Sequence, residues 1–492
     1  MAVVEGMPGV GLAGAPSVTG ELKPSARVKF FYSIGQFVES GYLATNSYVF
    51  FLYTAVMGMS GSMVGLALAI AMVLDAAADP LIGSWSDSVR SKFGRRLPLM
   101  LIAAPLTLLT MGMLFSPTSA MSPFLLFAWL TVAKMGFRAF ASMYNIPYFA
   151  LGGEMSDDYV ERSRIVAWRL MAGILVTVAI TFMASTIFFA GEGGQQQPER
   201  YPVFGWTIGL IMMAGALISC AGVWRYAVAL PQPTNRPEPM GRRIAGEVIG
   251  IMKNPTFLRL FFAMLIFATS AGVHSAVQIH TYVFVWKLRP ELFQFNTYGL
   301  LLGIMIGVPL TPLLLRRWEK KTVVLMGFAT VIVAYTLLPS IRAAGLFAPI
   351  GMEALPWLVA TTFVAGLGSG LIFIALPSMM ADAADEHEYK YGVRQEGLFF
   401  AGLGFAGKAA GGLGLLIGGV ALEQFLHFPK EVGRQVNAVI AEPTLAGLVI
   451  VWGPLCAGIS VVGALIFAPY AITRVRHAAM LAELKKRRAA GA

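Results

Sequence analysis

The chain has 492 residues, 57% of them hydrophobic and 13% charged, and its mean hydropathy is +0.69. That balance excludes a soluble globular domain. Lys and Arg outnumber Asp and Glu by 37 to 26, but they sit in short clusters between apolar runs, a pattern of membrane topology and not of a nucleic-acid surface.

Residues 1–22 are rich in Gly, Pro and Ala and carry neither a positive n-region nor a compact apolar core, so a tail is expected, with the first span as insertion signal. Apolar runs bounded by charge, Pro or Gly predict twelve spans near 31–54, 61–83, 97–116, 122–150, 164–190, 203–230, 256–286, 296–315, 321–340, 354–381, 395–423 and 443–473. The basic clusters fall before the first span, after each even-numbered span up to the tenth, and at the chain end. The positive-inside rule then puts both termini in the cytoplasm. Residues 231–255 read as a linker between an N-terminal tail and six-helix half (1–230) and a C-terminal six-helix half and tail (256–492). Arg95 and Arg96 after the second span are echoed by Arg316 and Arg317 after the eighth. Two six-helix halves around a midplane cavity predict an all-α major facilitator fold.

The stretch from Asp75 to Pro98 carries the chemistry. Asp75 and Asp79 close an apolar run that begins near Met63, and their i, i+4 spacing stacks them on one helix face. At about 6 Å and an effective dielectric near 20 they repel by about 3 kcal/mol, so a proton, a metal cation or a basic side chain has to neutralise them. In a membrane such a pair points to an ion path. Helix capping or pairing with a neighbour is the alternative.

The Asp75-x-x-x-Asp79-Pro80-x-x-Gly83-x-x-x-Asp87 stretch with its Gly94-Arg95-Arg96 tail resembles the glycoside-pentoside-hexuronide:cation symporter family. Matching motifs are Asn145-Ile-Pro147-Tyr148, and Ala381-Asp382-Ala-Ala-Asp385 through Arg394 with Lys408 beyond it. The resemblance implies a cation site at Asp75, Asp79 and a helix-four hydroxyl, here Ser142. The family's Asn before the second Asp is Ala78 here, which leaves protons as plausible as sodium. The sugar-binding acids of the family's melibiose permease fall at Ser40 and Asn145, its helix-five arginine at Arg169, and two pocket tryptophans at Phe149 and Phe373. Glu39 stands one residue before the first of these. An α-galactoside is therefore disfavoured as the substrate.

Lys134 and Arg138 lie one turn apart inside the fourth span. Each costs about 3 kcal/mol unpaired, so both should face the cavity or a partner. They are candidates for an anionic substrate such as a hexuronide; pairing with Glu39, Asp75 and Asp79 is the alternative. Lys408, on a Gly-rich helix, is expected to sense or balance Asp75 and Asp79. His274 and His280 read as polar cavity lining. Asp87 with Arg90, Arg95 and Arg96, and Asp382 with Arg394, read as a cytoplasmic latch.

No P-loop, nucleophile elbow or Cys/His metal spacing occurs, and Cys220 and Cys456 are too few for a disulfide framework. The expected protein is a monomeric, multi-pass inner-membrane symporter and not an enzyme. It needs no cofactor beyond a coupling Na+ or H+, and its partners are a small glycoside-like solute, that cation and the bilayer, with no nucleic acid. A lysophospholipid carrier or a non-transporting sensor on the same scaffold are the alternatives.

Overall fold

The computed structural model describes residues 24–156, 158–229, 250–393, 395–429 and 439–490. In chain order the helices are α1 (Ala26–Ile34), α2 (Phe37–Phe51), α3 (Gly61–Ser88), α4 (Leu97–Leu114), α5 (Pro123–Glu154), α6 (Tyr159–Met183), α7 (Arg200–Ala229), α8 (Pro255–His280), α9 (Pro290–Leu315), α10 (Lys320–Ala343), α11 (Leu355–Tyr391), α12 (Glu396–Val420), α13 (Glu442–Ile450), α14 (Cys456–Phe467) and α15 (Arg474–Ala490). Caps set several starts: Ser60 and Ser122 accept the amides of Met63 and Leu125, and Asn254 those of Thr256 and Phe257. The expected linker lies outside the described residues as far as residue 249.

Eleven helical runs among the described residues are long and apolar enough to cross a membrane. The first crossing completes twelve. It is assembled from α1, α2 and a π-helical turn at Leu52–Val56, and it starts at Ala26, five residues before the predicted 31. Gly35, between α1 and α2, lets this span pass close to α5: a Cβ there would fall 2.5 Å from the Tyr144 hydroxyl and from a ring carbon of Tyr148. π-helical turns also end α6 (Ala184–Phe188), α8 (Thr281–Val285) and α12 (Ala421–Phe425). These belong to spans one and seven and to spans five and eleven; a further π-helical turn, Val451–Leu455 between α13 and α14, has no counterpart in α7.

The two sets of six spans meet along α3 and α12. Glycines bring these helices into backbone contact at the end opposite the start of α1: a Cβ on Gly419 would lie 2.0 Å from the Gly61 carbonyl oxygen, and one on Gly65 2.7 Å from the Leu416 Cα. Further along, Gly412 faces Ala69 and Met72, and then Lys408 meets Asp75 and Asp79. Beyond that point the helices part; a Cβ on Gly404 or Gly397 would meet nothing within 4 Å, and Leu81 and Trp85 are 71% and 53% exposed. The far end is sealed by Ser47 to Ser275 at 2.9 Å, the Ser62 amide to Glu423 at 3.0 Å, and the Gly191 amide to Glu291 at 2.6 Å. The bundle is thus shut at one end and splayed at the end where α1 starts and α15 packs.

Candidate functional site

The i, i+4 spacing on α3 aims Asp75 and Asp79 at the junction with α5 and α12. The Asp75 side chain is fully buried. Its Oδ2 receives Arg138 Nη2 at 2.5 Å and lies 3.0 Å from Lys408 Nζ, while its Oδ1 accepts from Ser142 Oγ at 2.8 Å. The same Lys408 ammonium bonds Asp79 Oδ2, and Asp79 Oδ1 is buried without a partner. Of the three ways to neutralise twin acids, this conformation uses basic side chains. Two carboxylates are matched by one guanidinium from α5 and one ammonium from α12, which ties the first six spans to the last six at mid-depth.

Lys134 and Arg138 face this junction from α5, one turn apart. Neither opens onto solvent, being 0% and 3% exposed; of the two placements expected for them, the structure adopts internal partners. Lys134 Nζ donates to Asn46 Oδ1 at 2.9 Å, and both cations stand over the Tyr42 ring, at 4.5 and 4.6 Å from its centroid. Arg138 Nε and Nη1 have no hydrogen-bond partner. Tyr42 and Asn46 were not singled out in the sequence, although a signal exists: with Glu39 they occupy positions i, i+3 and i+7 of α2, one polar stripe on an apolar helix.

Glu39 Oε2 accepts from Asn145 Nδ2 at 2.7 Å. Ser40, the position aligned with a sugar-binding acid, is buried towards α6, its Oγ 2.9 Å from where a Cβ on Gly173 would sit. One residue along a helix turns the side chain by about 100°, so only Glu39 can meet α5. Arg169 lies over the Phe149 ring at 4.7 Å, and Phe149 and Phe373 are 40% and 46% exposed, on α5 and α11.

His280 is not cavity lining, whereas His274 lines a small cleft with Tyr335, Thr361, Thr362 and Trp452. His280 is fully buried in the sealed end, where Nε2 pairs with Thr54 Oγ1 at 2.9 Å among Phe50, Phe51 and Phe428. His274 stacks between Tyr335 and Trp452 and bonds the Trp452 carbonyl at 2.9 Å. Both pack between helices through ring contacts and one hydrogen bond each, and His280 Nδ1 is buried without a partner.

At the splayed end the charged residues pair within each set of six spans. Arg95 and Arg96 both bond Glu154, at 2.7 and 2.6 Å, and Arg96 also holds Asp87 at 2.6 Å. Arg90 is exposed on the following turn. Asp382 takes Lys320 at 2.7 Å and lies 3.6 Å from His477 on α15. Arg394, its expected partner, lies outside the described residues. Glu154, Lys320 and His477 are additions that sequence spacing did not reveal, since each sits on a different helix from its partner.

The family model for MFS/sugar transport proteins matches residues 34–474. The isoprimeverose transporter of Lactiplantibacillus pentosus is 24% identical over 94% of this chain and 91% of its own length. A glucuronide carrier protein homolog of Escherichia coli K12 is 24% identical over 82% of this chain and 84% of its own. The putative glycoside/cation symporter YagG of the same organism is 26% identical over 91% and 92%.

Proposed function

Because the chain belongs to the MFS/sugar transport protein family, a family of transporters and not of enzymes, we propose that it is a cation-coupled symporter of a glycoside-like, anionic solute, working by alternating access. The observation that carries this reading is the Lys408 ammonium of α12 set between Asp75 and Asp79 of α3. An acid pair satisfied across the two halves is a two-state element: a cation taken up at the pair competes with Lys408 and biases the halves, and linkage makes solute and ion raise each other's affinity by the same factor.

With the termini in the cytoplasm of an inner-membrane protein, the splayed end faces inward, so this is the inward-facing state. The solute would be met by the partly exposed groups that surround the junction: Glu39, held by the buried Asn145, for hydroxyls, Phe149 and Phe373 for the sugar face, and Arg169 with Lys408 for a carboxylate. One relative is named for glucuronides, in keeping with a cationic pocket.

The test is uptake by proteoliposomes of methyl β-glucuronide against methyl β-glucoside, under a sodium gradient or a pH gradient. Wild type should accumulate the glucuronide under one of the two gradients, and Asp75→Asn with Asp79→Asn should abolish accumulation. Undiminished gradient-driven accumulation by that double variant would refute the role given to the acid pair.

A further inference from the structure

We propose that the groove between α1 and α7 at the splayed end holds one anionic phospholipid, whose phosphate is gripped by Arg27 and Arg225. The lipid belongs to the bilayer side of the protein, and its binding does not depend on what the central cavity carries.

The groove has a volume of about 760 Å³. One wall is a face of α7, where Ile218, Ala221, Gly222 and Arg225 recur at i, i+3, i+4 and i+7; the other is a turn of α1, where the Arg27 guanidinium stands 5.8 Å from the centroid of the Phe31 ring. Gly222 lets the helices close beneath it, since a Cβ there would lie 2.2 Å from the Phe31 Cβ. The opposite face of α7 is the packed one, with Ser219, Cys220 and Val223 buried. Its packing partners are α1, α2, α4 and the turn that ends α6, all in the first six spans, whereas the central cavity lies between the two sets. Ile218, 45% exposed, and Leu217, 37% exposed, therefore face acyl chains, and the groove opens to the bilayer.

Depth and charge identify the occupant. Trp224 and Tyr226 flank Arg225; the Trp224 ring packs edge-on against Phe93 at 5.0 Å, and the Tyr226 hydroxyl donates to the Met155 carbonyl at 2.5 Å. Amphipathic rings of this kind mark headgroup level. Arg225 is therefore at that level, and Ile218, two turns earlier, is about 10 Å deeper. Arg27 and Arg225 are exposed and have no carboxylate within ion-pair distance among the described residues, whereas Lys29 and Arg164 pair with Glu161, and Arg95 and Arg96 with Glu154. Two free guanidiniums above an apolar floor match a phosphodiester with its chains below. The arginine fork takes phosphate oxygens in pairs, and only a ligand with an acyl chain also covers Ile218, Ala221 and Phe31.

The lipid joins α1, the outer part of the broken first span, to α7. Both walls belong to the same set of six spans, so rocking of the halves leaves the groove intact. A ligand held equally in both states stabilises the half and does not bias access.

Native mass spectrometry of the purified full chain, released from micelles that contain equal phosphatidylglycerol and phosphatidylcholine, counts the lipid that stays bound. A basic residue near an anionic lipid contributes about fivefold in affinity, so the pair should favour one phosphatidylglycerol over phosphatidylcholine by about thirtyfold. Arg27→Gln and Arg225→Gln should each lose about fivefold, and together they should bring the ratio close to one. Arg316→Gln with Arg317→Gln removes as much exposed charge from the same end and should keep the preference. A large excess of inorganic phosphate should not displace the lipid. Equal retention of the two lipids by wild type, an equal loss in the two double variants, or displacement by inorganic phosphate would each overturn the proposal.

Discussion

Arg138→Leu removes one member of the most buried ion pair among the described residues. The Asp75 carboxylate is fully buried and the guanidinium 4% exposed, at 2.5 Å. Two unit charges centred about 4 Å apart at an effective dielectric of 20 attract by about 4 kcal/mol, and stripping the partner from such a pair costs about 3–5 kcal/mol because a charge is left in a dry site. Lys408, 3.0 Å from the same oxygen, and Ser142 remain, so the lower end, about 3 kcal/mol, is expected. Removing both charges with Asp75→Leu and Arg138→Leu together should recover all but about 1 kcal/mol of it, since apolar replacement of a buried pair is near neutral. The double variant should therefore be about 2 kcal/mol more stable than Arg138→Leu alone. Thermal unfolding in detergent, followed by tryptophan fluorescence, should show the single variant several degrees below wild type and the double variant between them. An Arg138→Leu protein that melts with wild type, or a double variant that melts below the single one, would refute the reasoning.

Gly419→Leu places a side chain against the Gly61 carbonyl and prevents the sealed end from closing. The protein should fold but transport at least about tenfold more slowly, with the outward-open state favoured in cross-linking assays. Gly404→Cys, in the open part of the α12 face, should react with a membrane-impermeant maleimide only from the cytoplasmic side, against a silent background because Cys220 and Cys456 are buried. Labelling from the outside alone would reverse the proposed orientation. Thr54→Val leaves the fully buried His280 Nε2 without its partner and should cost about 1–3 kcal/mol, read as a lowered melting temperature. No change would mean that the sealed end does not depend on that bond.

The spans, their number and the acid pair were legible in the sequence because they are one-dimensional facts. A bilayer demands about 20 apolar residues per crossing, and i, i+4 spacing fixes which residues share a face. The approach of Lys408 to Asp75 and Asp79 was also anticipated, from a lone ammonium on a Gly-rich helix. The cross-helix partners were not. Glu154 with Arg95 and Arg96, Lys320 and His477 with Asp382, and Tyr42 and Asn46 beneath Lys134 come from helices far apart in sequence.

The sequence by itself determined that the chain crosses a bilayer twelve times and buries charge in the crossing, since hydropathy and charge spacing depend only on residue order. Tertiary structure alone decided which charges meet: the rotation of α2 that turns Glu39 and not Ser40 to α5, the glycine seam that brings Lys408 to the acids, and the packing that leaves Lys134 with no carboxylate. The physical reason is that a helix fixes its own faces locally, whereas its rotation and height against neighbours are set by side-chain packing over the whole bundle.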